Sequence, residues 1–149
     1  MWRALPIALI LLAGCTSVPH ASRDRDSEAK QFITHPNSAT LYVYRIDFPV
    51  PDGQDHVLYV GSRLIGSTLS RTFFRIDLPA GNHVLHGNVQ DQGRFQVTAH
   101  SGEITFISLN VTNEHFLFRR VDPETARREI LGCCVLLENW APGQRPLLY

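Results

Sequence analysis

From Ala39 to Val121, short runs of β-branched and aromatic residues are separated by turn signals every ~8–12 residues. No other feature constrains the fold as strongly. Successive side chains on a strand point to opposite faces. "TFFRIDL" (72–78) alternates: Phe74, Ile76 and Leu78 share one face, and Arg75 and Asp77 take the other. That pattern predicts a half-buried antiparallel strand. "ATLYVYRI" (39–46) carries Leu41 and Val43 on one face and Tyr42 and Tyr44 on the other. It predicts a strand covered on both sides.

The punctuation supports this reading. "FPVPDGQD" (48–55), Gly61-Ser62-Arg63, "PAGNH" (79–83), "QDQG" (90–93) and Thr112-Asn113-Glu114 separate the runs. Proline presets φ in such turns, and glycine takes positive φ at no steric cost, as expected of Gly81. No βαβ alternation is present, so a parallel sheet is not expected. One helix is expected over "PETARREIL". Asp122 suits its N-cap, Pro123 its first position and Glu124 the helix dipole. Gly132 is the expected stop, and "CCVLLENW" fits either helix or strand. The predicted fold is mainly β, an antiparallel β-sandwich or small barrel of about eight strands with one short C-terminal helix.

The N-terminus carries a different signal. Arg3 precedes the apolar run Leu5–Ala13, which is less than half of the about 20 residues needed to cross a bilayer. A basic start, a short apolar run and a small-residue exit are the parts of a secretory signal. The exit, Leu12-Ala13-Gly14-Cys15, resembles the lipobox of bacterial lipoproteins. The resemblance implies acylation of Cys15 and cleavage before it. Several acyl chains together anchor a protein stably without a spanning helix. Thr16 in place of aspartate implies outer-membrane delivery by the sorting rule that accompanies the motif.

Residues 16–38 lack sustained periodicity, alternate in charge from Arg23 to Asp26 and contain Pro19 and Pro36. They read as a tether, with Phe32 and Ile33 able to dock locally. The expected organisation is thus a signal peptide (1–14), a lipidated cysteine with a flexible tether (15–38), and a β-sandwich with helix and tail (39–149).

Several stretches, in order, resemble a family of small bacterial lipoprotein domains of unknown function. They are "LYVYR" (41–45), "VLYVGSRLIGSTL" (57–69), "RIDLPAGNHVL" (75–85), "SGEITFISL" (101–109) and "VDPETARREI" (121–130). Ala80 splits the usual Pro-Gly pair, and 104–107 lack the tyrosines often found there. The hairpin and its Gly-x-His turn are also similar to the PEGA module. Both resemblances imply a compact β domain, and neither carries an established catalytic residue.

Motifs for chemistry are absent. There is no GxSxG elbow, Walker A loop or dinucleotide fingerprint, so no cofactor is expected. Asp52, Asp55 and His56 surround Gly53, but the spacing departs from a calcium loop and fits an Asp-Gly turn. His83 and His86 fall on opposite strand faces, and His83 is expected to pin its turn. Glu124 and Glu129 lie at different azimuths and read as solvated. His100 and His115 are isolated at strand ends. Phe73, Phe116 with Phe118, and Tyr42 with Tyr44 are candidates for a surface but read as core. Cys133 and Cys134 could form a vicinal disulfide, bridge two molecules or remain thiols; buried structural thiols are the expectation. Two such ligands do not make a zinc site. Lys+Arg and Asp+Glu both number 14, which gives no basic face for nucleic acid.

The sequence therefore predicts a lipid-anchored, periplasm-facing outer-membrane protein that binds an envelope protein or glycan and is not an enzyme. The alternative is a small envelope hydrolase with a scattered active site. The candidate partner contact is the irregular, apolar tail at Trp140, Leu147, Leu148 and Tyr149.

Overall fold

A computed structural model describes residues 20–46, 56–88, 93–112 and 115–139. Cys15, Asp52, Asp55 and the tail residues Trp140, Leu147, Leu148 and Tyr149 lie outside the described residues. Two helices and nine strands are described. They are α1 (Arg23–Ala29), β1 (Ala39–Arg45), β2 (Val57–Val60), β3 (Arg63–Ser67), β4 (Thr72–Leu78), β5 (Gly81–His86), β6 (Phe95–Ala99), β7 (Ile104–Thr112), β8 (His115–Val121), α2 (Pro123–Cys133) and β9 (Val135–Leu136).

The strands form two sheets, ordered β8-β7-β1-β4-β9 and β3-β2-β5-β6. The fold is a β-sandwich with no closed barrel. Between the sheets lie Leu41, Val43, Leu58, Ile65, Phe74, Ile76, Leu85 and Ile107, all buried. A second apolar layer on the outside of the five-stranded sheet contains Tyr42, Tyr44, Phe73 and Phe106 beneath Ala29, Ala126 and Ile130. β1 is thus covered on both sides, as its two apolar faces predict.

The pairing departs from the all-antiparallel expectation. β1 pairs with β7 in parallel, and β4 with β9 in parallel. The chain leaves β4, forms β5 and β6 in the other sheet, and returns to β7 beside β1. The second sheet serves as the crossover that a parallel pair requires, so no βαβ unit is needed.

β4 is also buried on both faces rather than one. Arg75 is 5% exposed. Its guanidinium donates to Ile33 O at 3.2 Å and lies 3.7 Å from Asp77 Oδ1. Asp77 accepts from Thr40 Oγ1 at 2.8 Å. The polar side of the alternation therefore faces a covering segment, its charges partnered, and not water.

That covering segment corrects the tether reading for residues 20–38. Ser22 caps α1 by accepting from Arg25 N. His20 forms a bridge with Leu137, and Ala21 N donates to Leu136 O at 2.9 Å. Arg25 pairs with Glu138 at 2.6 Å, and Asp26 Oδ1 accepts from Leu136 N at 2.7 Å. After α1, Phe32 adopts φ 53, at a backbone cost of roughly 1–2 kcal/mol. Its ring is held in return against Tyr42 (5.2 Å) and Phe106 (5.7 Å). A seven-residue helix is too short to form alone, so these contacts stabilise it.

α2 begins as expected, with Asp122 accepting from Thr125 N at 2.9 Å. It runs through Gly132 to Cys133 and ends where Cys134 turns extended (φ −119, ψ 147). Gly132 is therefore not the stop. Cys133 and Cys134 are joined by a disulfide, which selects the vicinal bridge over the expected buried thiols.

Candidate functional site

The outward faces of the two sheets differ. Helices and Phe32 cover the five-stranded sheet over Tyr42, Tyr44, Phe73 and Phe106. On the four-stranded sheet, Tyr59, Leu64, Val84, His86, Gln96 and Thr98 face out and are at least partly exposed. Among the described residues neither helix packs over them.

Tyr59 and His86 are register partners on β2 and β5. Their rings stack with centroids 5.1 Å apart and planes 2° apart. His86 Nε2 lies 2.8 Å from Gly61 O, and Nδ1 lies 2.8 Å from Gly87 O. These contacts fix the imidazole against the β2–β3 turn. Asn88 Oδ1 accepts from Val57 N at 2.8 Å. A hollow of about 480 Å³ opens beside this stack, lined by Tyr59, Ser62, His86, Asn88 and Arg94. Aromatic, amide, hydroxyl and guanidinium groups around one hollow suit a polar ligand held by stacking and hydrogen bonds. Both His86 nitrogens face carbonyls, so His86 is poorly placed to act as a base for Ser62.

A second groove of about 380 Å³ runs beside α2, lined by Ile46, Asn110, Leu117, Arg119 and Glu129 among others. Here Tyr44 donates its hydroxyl to Glu129 Oε2 at 2.5 Å. Glu129 is thus engaged and not simply solvated. Burial, followed by the bond to Glu129, pushes the Tyr44 hydroxyl above its ordinary range. Burial likewise pushes Tyr42 up to about 12, opposed in part by the Arg75 charge. Asp122 is held below the usual carboxylate range by the Thr125 backbone N–H, as a helix cap is. These shifts follow from packing and capping and do not pair an acid with a base.

The remaining expected residues are dispersed. His83 Nε2 lies 2.8 Å from Pro79 O and pins the turn, as expected, while Gly81 adopts φ 139. His56 is buried, with its ring edge-on to Phe116 at 6.1 Å. Its carbonyl accepts from Thr68 N and Oγ1 at 2.8 and 2.9 Å. His100, His115 and Glu124 are exposed. Phe73 and Phe116 are core. No cluster of three His, Cys, Asp or Glu suited to a metal occurs among the described residues. Among them, too, no helix is long and apolar enough to cross a membrane.

Sequence inspection missed the Tyr59–His86 pairing. The available signal was outward parity on two strands that alternate, but sequence parity does not reveal that β2 neighbours β5.

Comparison with known proteins adds one relative. An uncharacterized protein of Haemophilus influenzae is 33% identical over 75 residues. The match covers 50% of this chain and 44% of that protein, so it spans less than half of the relative. No protein family model matches this chain. No solved structure matches it significantly.

Proposed function

We propose that this chain is a lipid-anchored module of the bacterial envelope, held to the outer membrane through Cys15 and facing the periplasm. In this reading it binds an envelope protein or glycan and does not catalyse a reaction. The Leu-Ala-Gly-Cys exit of the signal supports the anchor, and the order of motifs supports kinship with the small lipoprotein domains. The observation that carries the binding role is the hollow beside stacked Tyr59 and His86, on a four-stranded sheet that neither described helix covers. Binding sites gather in concave hollows whose polar groups are held by a rigid scaffold and its loops.

Growth with labelled palmitate should mark the wild type and leave Cys15→Ala unlabelled. Label that persists in the variant refutes the anchor. A photo-crosslinking side chain at Gln96, beside the hollow's face, should give discrete adducts in intact cells. Those adducts should weaken in Tyr59→Ala. If adducts are equally abundant in Tyr59→Ala, this face is not the binding surface.

A further inference from the structure

The anchor reading gains a geometric consequence from the docking of residues 20–38. With 15–38 as a free tether, the domain would roam well away from the bilayer. Instead His20 already belongs to the folded body, where it bridges to Leu137. Only residues 16–19 then separate it from Cys15. Five Cα steps reach at most about 18 Å when fully extended. With Cys15 acylated, the point where the described chain enters, beside β9, lies within that reach of the headgroup layer.

That edge carries the surface such a position requires. Leu131 is 58% exposed and Val135 43% exposed. Val135 precedes Leu136, whose carbonyl accepts from Ala21 N, and Leu131 lies in the last turn of α2, which leads into β9. Two exposed arginines lie close by in the fold. Arg71 lies beside Val135, whose N–H donates to Arg71 O at 3.1 Å. Arg128 stands three residues before Leu131 on α2 and is exposed, so the two share a helix face. Exposed aliphatic side chains with arginines nearby fit a bilayer interface, where the apolar groups insert and the guanidinium groups meet phosphates.

We infer that Leu131, Val135, Arg71 and Arg128 form a membrane-contact surface that seats the domain directly on the lipid bilayer. The inference rests on acylation of Cys15. It orients the molecule as well as locating it: the edge at β9 faces lipid, and the hollow of the other sheet is left to the periplasm.

The test uses the full acylated chain, reconstituted into phosphatidylethanolamine–phosphatidylglycerol vesicles with or without brominated acyl chains. In a Trp140→Phe background, Leu131→Trp and Val135→Trp place a reporter on the surface, and Gln96→Trp places one on the opposite sheet. Bromine should quench the reporters at 131 and 135 about twofold or more, consistent with shallow insertion, and leave the reporter at 96 unchanged. Intact mass reports Cys15 acylation separately. An acylated chain with equal emission at all three positions overturns the contact surface while the anchor stands. A chain without acyl groups removes the anchor, and this inference with it. Loss of quenching together with concentration-dependent self-association would assign the patch to a second copy and overturn the lipid reading.

Discussion

Tyr42→Phe tests whether residues 20–38 belong to the folded body. Tyr42 lies in the second apolar layer, fully buried, and donates its hydroxyl to Ala29 O at 2.7 Å. The substitution leaves the ring and its contacts with Phe32, Phe73 and Phe106. What is lost is one buried hydrogen bond to α1. Such a bond contributes a net ~0.5–1.5 kcal/mol, and an orphaned buried acceptor costs more. Ala29 O is not orphaned, because Phe32 N still donates to it at 3.1 Å. The expected loss is therefore about 1 kcal/mol, or roughly 3–5 °C in Tm for a domain of this size. Hydrogen exchange should accelerate in α1 more than in β5 or β6.

Alkaline pH supplies an independent arm. Tyr42 titrates at about 12 in the fold against an ordinary 10.0. A hydroxyl whose folded value is raised lends stability that is complete below the unfolded value and lost as pH climbs through the folded one. Two pH units correspond to about 3 kcal/mol, lost between about pH 10 and 12. Tyr42→Phe has no such proton to lose. The wild type should therefore be more stable near neutrality, and the two stabilities should cross near pH 11. Chemical denaturation at a series of pH values measures both. An unchanged Tm together with parallel pH profiles would refute the docking of α1 through Tyr42.

Gly81→Val should destabilise by about 1–3 kcal/mol, because φ 139 is strained for a β-branched residue although nothing lies within 4 Å of the new Cβ; an unchanged Tm removes the strain argument. Gly87→Ala should cost about 1–3 kcal/mol by overpacking, since its Cβ would fall 2.4 Å from the buried Phe116 ring; thermal melts decide. Glu129→Gln should lower the Tyr44 titration, because the carboxylate helps to raise it. Absorbance of the phenolate against pH reads that shift, and an upward or absent change would refute the assignment.

What was legible in the sequence was local. The alternation in β4 identifies its core face, and the double apolar face of β1 announces two covering layers. Asp122-Pro123 marks the start of α2, and the Pro79–His83 turn closes as its residue types suggest. The rest depends on contacts between distant segments. Arg75 and Asp77 look solvent-facing because alternation records polarity, not what covers the strand. α1 has no apolar stripe beyond Ala29, and its order comes from Leu136, Glu138 and Tyr42. Glu129 looks solvated until β1 places Tyr44 beneath it. The hollow's components come from β2, β5 and the segments flanking them, and no local pattern joins them.

The way the five-stranded sheet ends ties these non-local contacts together. Its two edges are β8 and β9, and an open edge invites pairing with other chains. β9 has two residues, and beside it His20 and Ala21 meet Leu137 and Leu136 through a bridge and a hydrogen bond. β8 carries exposed Arg119 and Arg120, cations of the kind that discourage strand addition. The N-terminal segment thus closes one edge while supplying the helix that roofs Tyr42. In the anchored reading proposed above, a chain that uses residues 20–38 to close its own sheet keeps only residues 16–19 as a spacer after Cys15. In that reading, the same contacts that complete the fold bring the domain within reach of the membrane, and among the described residues neither helix covers the four-stranded sheet.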